Sequence, residues 1–290
     1  VKRWIREMGF EAAQKICRFD NEPAVLSVRT NTLKITRDDL ISRLAEEGCL
    51  ADKSALVPEG IKITAHGAMK DLDSLKEGLW QVQDESSMLV AHVVDPQPGE
   101  FVLDVCSAPG GKATHLAQLM ENRGKIIAGD LYPARLEKVA ENARRLGINI
   151  IETVAGDARC IGERYFRQAD RVLVDAPCSG LGVLRRRPDV RWRVTAEEMK
   201  KLPPLQLEIL ESASRCVKQG GILVYSTCTM EPAENAGVVE KFLKTSKDFS
   251  LVETGQYLPE KKRSGSMVQL LPHIDGTDGF FIARMERKAR

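Results

Sequence analysis

Two cysteines and four aspartates carry the chemistry legible in this chain. Cys178 stands in Asp175-Ala176-Pro177-Cys178-Ser179-Gly180, and Cys228 in Ser226-Thr227-Cys228-Thr229, each directly after an apolar run. A lone cysteine is ordinarily a small, inert hydrophobe, which is the expectation for Cys17, Cys49, Cys160 and Cys216. Two cysteines in loops at neighbouring strand ends are a different case. The thiolate is the reactive form, and a free thiol with a pKa of about 8.5 is only a few per cent ionised at neutral pH, so such a site must favour the anion. Methylation of carbon 5 of cytosine is chemistry that needs it. Sulfur adds to carbon 6, the ring loses conjugation, and carbon 5 becomes enamine-like and takes a methyl group from a sulfonium. A base then removes the carbon 5 proton and the thiolate leaves. Methylation of an adenine amino group needs no thiol.

The aspartates Asp104, Asp130, Asp157 and Asp175 each fall at or just beyond the end of an expected strand. One such acid is commonly a turn or capping residue; four in succession suggest a ligand at the strand ends. The loop Cys106-Ser107-Ala108-Pro109-Gly110-Gly111-Lys112 follows the first of these strands. Its small residues let backbone approach a ligand, and the helix start beyond it offers unpaired N–H groups. A phosphate-binding P-loop needs Gly at 106 and Ser or Thr at 113, where this chain has Cys and Ala. The dinucleotide G-x-G-x-x-G is absent, which argues against a NAD-dependent enzyme. A nucleoside ligand without phosphates fits better. Asp130 can hold two ribose hydroxyls, each charge-assisted bond contributing roughly 1.5–3 kcal/mol. Asp157 is placed for an adenine edge, and carboxylates suit a sulfonium. Together they describe S-adenosylmethionine, with S-adenosylhomocysteine as product.

The elements that must position these groups alternate between strand and helix. Strands are expected at 101–105, 125–130, 150–155, 171–175, 221–226 and 280–285. Helices are expected at 112–120, 133–146 and 234–244, with a further one over 197–217 that Pro203-Pro204 should break or bend. This alternation implies an α/β unit over 81–290, an open, mostly parallel, doubly wound sheet. Residues 1–80 read as a small α+β unit: a helix from Trp4 through Ile16, a strand at 26–30, a helix at 37–47 capped by Thr36 and ended by Gly48, and a strand at 61–64. The first helix has no capping residue ahead of it, and the chain is expected to continue upstream.

The net charge of +2 does not announce a nucleic-acid partner, so clustering has to. Arg185, Arg186, Arg187, Arg191 and Arg193 follow the Cys178 loop with Trp192 among them, and Lys261-Lys262-Arg263 comes later. Such a loop can hold backbone phosphates while Trp192 stacks on a base; Arg29 in the small unit is expected to extend that surface. Seven cysteines without a Cys-x-x-Cys pair argue against a zinc site or disulfide framework, so no metal and a cytoplasmic setting are expected. No apolar run approaches the ~20 residues of a membrane span.

The runs Asp104-Val105-Cys106-Ser107-Ala108-Pro109-Gly110-Gly111-Lys112, Asp175-Ala176-Pro177-Cys178-Ser179-Gly180 and Ser226-Thr227-Cys228-Thr229 resemble the RNA cytosine-5 methyltransferases of the Sun/Fmu family. Arg29-Thr30-Asn31-Thr32-Leu33, Gln83-Asp84-Glu85-Ser86-Ser87 and Asp278-Gly279-Phe280-Phe281 match it too, so the likeness covers nearly the whole chain. It implies a Rossmann-like S-adenosylmethionine-dependent methyltransferase fold and, in the branch most similar, 16S ribosomal RNA or a small-subunit assembly intermediate as partner. The resemblance also decides between the thiols: Cys228 is the nucleophile, Cys178 assists product release, and Asp175 contacts the cytosine or the methionine end of the cofactor. It further implies an upstream helical domain similar to the antitermination factor NusB. Ser107 and Ala113 depart from the family pattern, Glu231-Pro232-Ala233-Glu234-Asn235 keeps only part of an acidic motif, and Pro203-Pro204 intrudes where relatives continue a helix. A non-catalytic assembly factor is the competing reading, and the intact thiols and acids argue against it. DNA and protein are the competing substrates, and a catalytic thiol argues against protein.

Overall fold

The computed structural model describes residues 1–258 and 265–289, so Lys261-Lys262-Arg263 lies outside the described residues. The small unit holds strands β1 (Leu26–Thr30), β2 (Leu50–Lys53), β3 (Gly60–Ala65) and β4 (Trp80–Val82). They form an antiparallel sheet in the order β2-β3-β1-β4. The helix Arg37–Glu46 lays Leu40 and Leu44 on Val28, Ile61, Ile63 and Trp80 of that sheet. Thr36 caps it by accepting from the Asp39 amide. β4 straddles the expected boundary at residue 80.

The larger sheet is built from β5 (Phe101–Asp104), β6 (Lys125–Asp130), β7 (Ile151–Ala155), β8 (Ala169–Asp175), β9 (Val217–Thr227), β10 (Phe249–Leu251), β11 (Met267–Leu270) and β12 (Phe280–Arg287). Among the described residues its order is β10-β12-β9-β8-β5-β6-β7, with β11 paired to β12. β5 to β9 run parallel and β12 returns antiparallel to β9. The chain moves outward from β5 through β7, then comes back past β5 to β8 and β9. The switch between β5 and β8 opens a crevice at their carboxyl ends, where open α/β sheets bind ligands. Both faces are covered, because strand side chains alternate. Val102, Ile126, Leu173, Val224 and Ile282 meet the helices Glu85–Val94, Gly111–Leu119 and Pro133–Leu146. Leu103, Ile127, Val172, Val174, Leu223, Tyr225 and Phe281 meet Ala196–Ser214 and Ala236–Thr245.

The structure departs from expectation at several elements. The first helix is two, Lys2–Met8 and Phe10–Phe19, separated at Gly9, whose φ of 85° lies outside the helical region. These helices pack Trp4, Ala13 and Ile16 against Leu184 and Met230, on the loops that follow the two thiols. Pro203-Pro204 does not break its helix, which runs unbroken from Ala196 to Ser214 behind a Thr195–Glu198 capping box. The missing N–H groups release the carbonyls of Met199 and Lys200, and Lys200 lies on the exposed side, where water can satisfy them. The helix Glu85–Val94 escapes a reading by periodicity because eight of its ten residues are buried, which leaves no polar face to reveal a period of 3.6. Cys49 and Cys216 are buried as small hydrophobes are, whereas Cys160 is exposed.

Candidate active site

The crevice collects the loops after β5, β8 and β9. Parallel pairing of Asp104 with Leu173 and of Asp175 with Ser226 sets the three strand ends side by side. The Cys178 and Cys228 sulfurs come to 3.3 Å from each other. Lys112 Nζ donates to Asp175 Oδ2 at 2.8 Å, and Ser226 Oγ donates to Asp175 Oδ1 at 2.8 Å. Lys112 also lies 5.0 Å from the centre of the Phe280 ring. Its stem is buried, which opposes the charge, but the Asp175 carboxylate holds its pKa above the usual lysine value.

The two thiols are driven apart in acidity. Cys178 is pushed well above the usual thiol value by sharing its proton with Cys228 and by burial. Cys228 is lowered, chiefly because it accepts the Cys178 hydrogen bond, with Lys112 and Arg187 adding positive potential against burial and the Asp175 charge. Where the pair ionises, the charge therefore rests on Cys228 and the proton on Cys178. Cys106, by contrast, is raised by burial and by the carboxylates of Asp104, Asp175 and Asp130, which makes it a poor nucleophile.

The loop 105–111 is held open by backbone geometry. Ser107 N donates to Gly129 O at 2.7 Å and Gly110 N to Ser107 O at 2.8 Å. Gly110 has φ 97°, and a Cβ there would lie 3.1 Å from Val139, so only glycine is at ease. Arg135 Nη2 reaches Ala108 O at 3.0 Å and Asn142 Nδ2 reaches Pro109 O at 3.0 Å. Two polar side chains at this loop, Asp104 and Ser107, are buried and poorly satisfied: the Ser107 hydroxyl and the Cys106 amide face the Asp104 carboxylate, but without well-formed hydrogen bonds. Burial and the neighbouring Asp175 charge push Asp104 up to about 7. Buried polar groups are nearly always paired, so this end of the crevice fits a ligand bearing hydrogen-bond donors, such as the amino-acid end of S-adenosylmethionine. Asp130 is buried at the end of β6, accepting from Tyr132 N at 3.1 Å and pairing with Arg135. Asp157, after β7, accepts from the Arg159 backbone at 2.9 Å and pairs with its guanidinium.

The basic residues divide in a way that corrects the surface expected for them. Arg29 is fully buried. Its guanidinium donates to Gly111 O at 2.7 Å, Thr114 Oγ1 at 3.0 Å, Gln118 Oε1 at 3.2 Å, and Gln83. It braces the loop 105–111 and the helix behind it and presents nothing to the surface. Arg185 is buried against Phe19 and paired with Asp278, and Arg186 is shared between Asp278 and Asp84. These two anchor the loop and have little left for phosphate. Arg187 and Arg191 are exposed, the latter donating to Asn21 Oδ1 at 2.8 Å, and Trp192 is 87% exposed. Trp192 borders a cleft of about 450 Å³ whose other walls include Trp4, Leu181, Leu184 and Glu231.

Residues 91–286 match the family model described as 16S rRNA methyltransferase RsmB/F. Residues 1–70 match the ferredoxin-like domain of RsmF/B-like methyltransferases. The chain belongs to the RsmB/F methyltransferase family. The probable ribosomal RNA small subunit methyltransferase B of Bacillus subtilis (strain 168) is 43% identical over 293 residues, which cover 99% of this chain and 65% of that protein. The protein so described from Synechocystis sp. is 39% identical over 294 residues, 98% of this chain and 66% of that one. The chain thus spans just under two thirds of these RsmB/F relatives. Among solved structures, NSun6 from Pyrococcus horikoshii with SFG superposes with a TM-score of 0.88 at 27% identity, covering 100% of this chain and 97% of that one. A methyltransferase homolog protein from Pyrococcus horikoshii gives 0.84 at 33% identity, covering 99% and 93%. The fold is therefore the Rossmann-like methyltransferase fold with a small N-terminal domain.

Two parts of this RsmB/F site are not visible in the sequence. The Cys228 motif contains Ser226 but does not reveal it as a partner of Asp175. Nothing in the sequence marks Gly182. Its amide donates to Cys228 O at 3.0 Å, its carbonyl accepts from Gly279 N at 2.8 Å, and a Cβ there would lie 2.0 Å from Gly279 O. A glycine in an irregular loop carries no periodic signal, and its partner Gly279 is named only within the closing motif Asp278-Gly279-Phe280-Phe281.

Proposed function

We propose that this chain transfers a methyl group from S-adenosylmethionine to carbon 5 of a cytosine in RNA, through a covalent bond between Cys228 and carbon 6. The observation that carries the reading is the thiol pair, 3.3 Å apart and polarised in opposite directions, beside Lys112 and Asp175 at the switch point. Residues 106–112 with Asp130, Asp157 and Asp175 would hold the cofactor, which supplies an electrophilic methyl group when bound. Cys228 adds to carbon 6 as a thiolate. Lys112 offsets negative charge near the sulfur and Asp175 orients Lys112 and the base. Once Cys228 is bonded to carbon its charge is gone, and with it the main reason Cys178 holds its proton. Cys178 can then give its own proton to solvent and, as a thiolate, take the proton from carbon 5; the electrons of that C–H bond restore the carbon 5–carbon 6 double bond as the bond from carbon 6 to Cys228 breaks and Cys228 leaves as a thiolate.

Ribosomal RNA as substrate, and 16S RNA or a small-subunit assembly intermediate in particular, is supported by the names of the RsmB/F relatives. On this reading residues 1–80 are an accessory RNA-binding unit and 81–290 the catalytic unit. Arg187, Arg191 and Trp192 would receive nucleotides flanking the target, with a base entering the cleft beside Trp192. The free thiols suit a reducing cytoplasm, and no helix among the described residues is long and apolar enough to cross a membrane. The test is covalent trapping on 16S RNA containing 5-fluorocytosine, with S-adenosylmethionine present. Wild type and Cys178→Ala should give an adduct stable to denaturant and Cys228→Ala none. Loss of the adduct only in Cys178→Ala would reverse the two thiols.

A further inference from the structure

Cys178 is gripped from both sides. On one side, Gln206 Nε2 donates to the carbonyl of Pro177 at 2.9 Å. On the other, the amide of Ser179 donates to Glu234 Oε2 at 2.9 Å. The two gripping side chains are joined, Gln206 Nε2 to Glu234 Oε2 at 3.0 Å. Gln206 comes from the helix Ala196–Ser214 and Glu234 from the turn before Ala236–Thr245, and both are buried. The Tyr225 hydroxyl donates to Glu234 O at 2.6 Å and fixes that turn. Ser179 Oγ and Thr229 Oγ1, 2.8 Å apart, tie the Cys178 loop to the Cys228 loop.

This arrangement is costly. Glu234 Oε1 and Gln206 Oε1 are buried without a hydrogen bond among the described residues, so each gives up the hydrogen bonds that water would supply. Two apolar side chains of similar volume would serve the core better. The polar pair does something an apolar pair cannot: it meets the carbonyl and the amide that flank Cys178. A loop residue with its neighbours pinned keeps its side chain in one place as the chemistry proceeds.

The geometry points to Gln206 and Glu234 as positioning residues for product release, clamping the backbone on either side of Cys178 so that its sulfur stays within reach of the base bound to Cys228. The inference rests on the proposed release role of Cys178. The Glu234 charge also adds to the forces that raise Cys178, which makes that thiolate a stronger base once formed.

Release and methyl transfer can be separated. Gln206→Leu and Glu234→Gln would be compared with wild type and Cys178→Ala on 16S RNA with S-adenosylmethionine. Three quantities are read: the rate of the first methyl transfer, the steady-state rate, and the fraction of RNA in a denaturant-stable adduct. At a pH high enough to ionise Cys228 in every variant, the first transfer in both should keep its wild-type rate. Turnover should fall on the order of 10–100-fold, the scale expected when a reacting group is misplaced by about an ångström, and adduct should accumulate as in Cys178→Ala. Glu234→Gln should be the milder, because its amide oxygen still accepts from Ser179. Adduct accumulation in Cys178→Ala but not in the clamp variants overturns the clamp. So does an equal loss of first transfer and turnover in Glu234→Gln with its melting temperature unchanged. An absence of adduct in Cys178→Ala removes the release role of Cys178 itself, and the clamp's role in release with it.

Discussion

Replacing Arg29 by Met tests the most consequential correction to the sequence reading. The guanidinium is fully buried and serves four acceptors on Gly111, Thr114, Gln118 and Gln83. Burial lowers its pKa to about 9, so at neutral pH it remains charged. Methionine fills much of the space but donates nothing. Hydrogen bonds to a charged group contribute about 1.5–3 kcal/mol each, or roughly 6–12 kcal/mol for four. Taking the guanidinium out of water costs several kcal/mol against that. The net loss in the variant should be about 3–5 kcal/mol, the range seen when one member of a buried charged network is removed. At about 2–4 °C per kcal/mol, the melting temperature should fall by roughly 6–20 °C. Gly111 and Thr114 open the helix behind the loop proposed to hold the cofactor, so the affinity for S-adenosylmethionine, measured by titration calorimetry below the transition, should weaken too. An unchanged melting temperature and cofactor affinity, with RNA binding alone reduced, would refute the buried brace and restore Arg29 to the RNA surface.

Other expectations follow from the same geometry. The alkylation rate of Cys228 by iodoacetamide reports its thiolate, so it should fall as pH drops through the lowered Cys228 pKa. Cys178→Ala removes the hydrogen bond that contributes most to the lowering, and the profile should move to higher pH; an unmoved profile would mean the sulfur contact does not polarise the pair. Trp192→Ala should raise KM for RNA with little effect on kcat or on cofactor binding. Stacking of one base contributes about 1–3 kcal/mol, so the rise should be roughly 5–150-fold, and no change would take the cleft out of the RNA path.

The strand–helix order of the larger unit was legible because its strands are short apolar runs bounded by turns and its helices carry a period of 3.6. The helix Pro133–Leu146 is the clearest case: its bounds are those expected, and Gly147, with φ 77°, ends it. Elements without such a signal were missed. β4 and β10 have three residues each, too few for an alternation to register, and β2 has four.

By itself the sequence determined which residue types stand at the strand ends, and therefore which chemistry is available: two thiols, four carboxylates and a loop of small residues. Those features are local, since each depends on a residue and its immediate neighbours. Tertiary structure decided everything that joins segments distant in the chain. It set Cys178 and Cys228, fifty residues apart, at 3.3 Å. It turned Lys112 from a loop residue into the partner of Asp175, sixty-three positions away, and drew Arg29 inward to Gln118, eighty-nine positions away. The same arginine can be a solvated contact or a buried brace; which one it becomes depends on the acceptors folded around it, because a charge enters the interior only where enough hydrogen bonds await it.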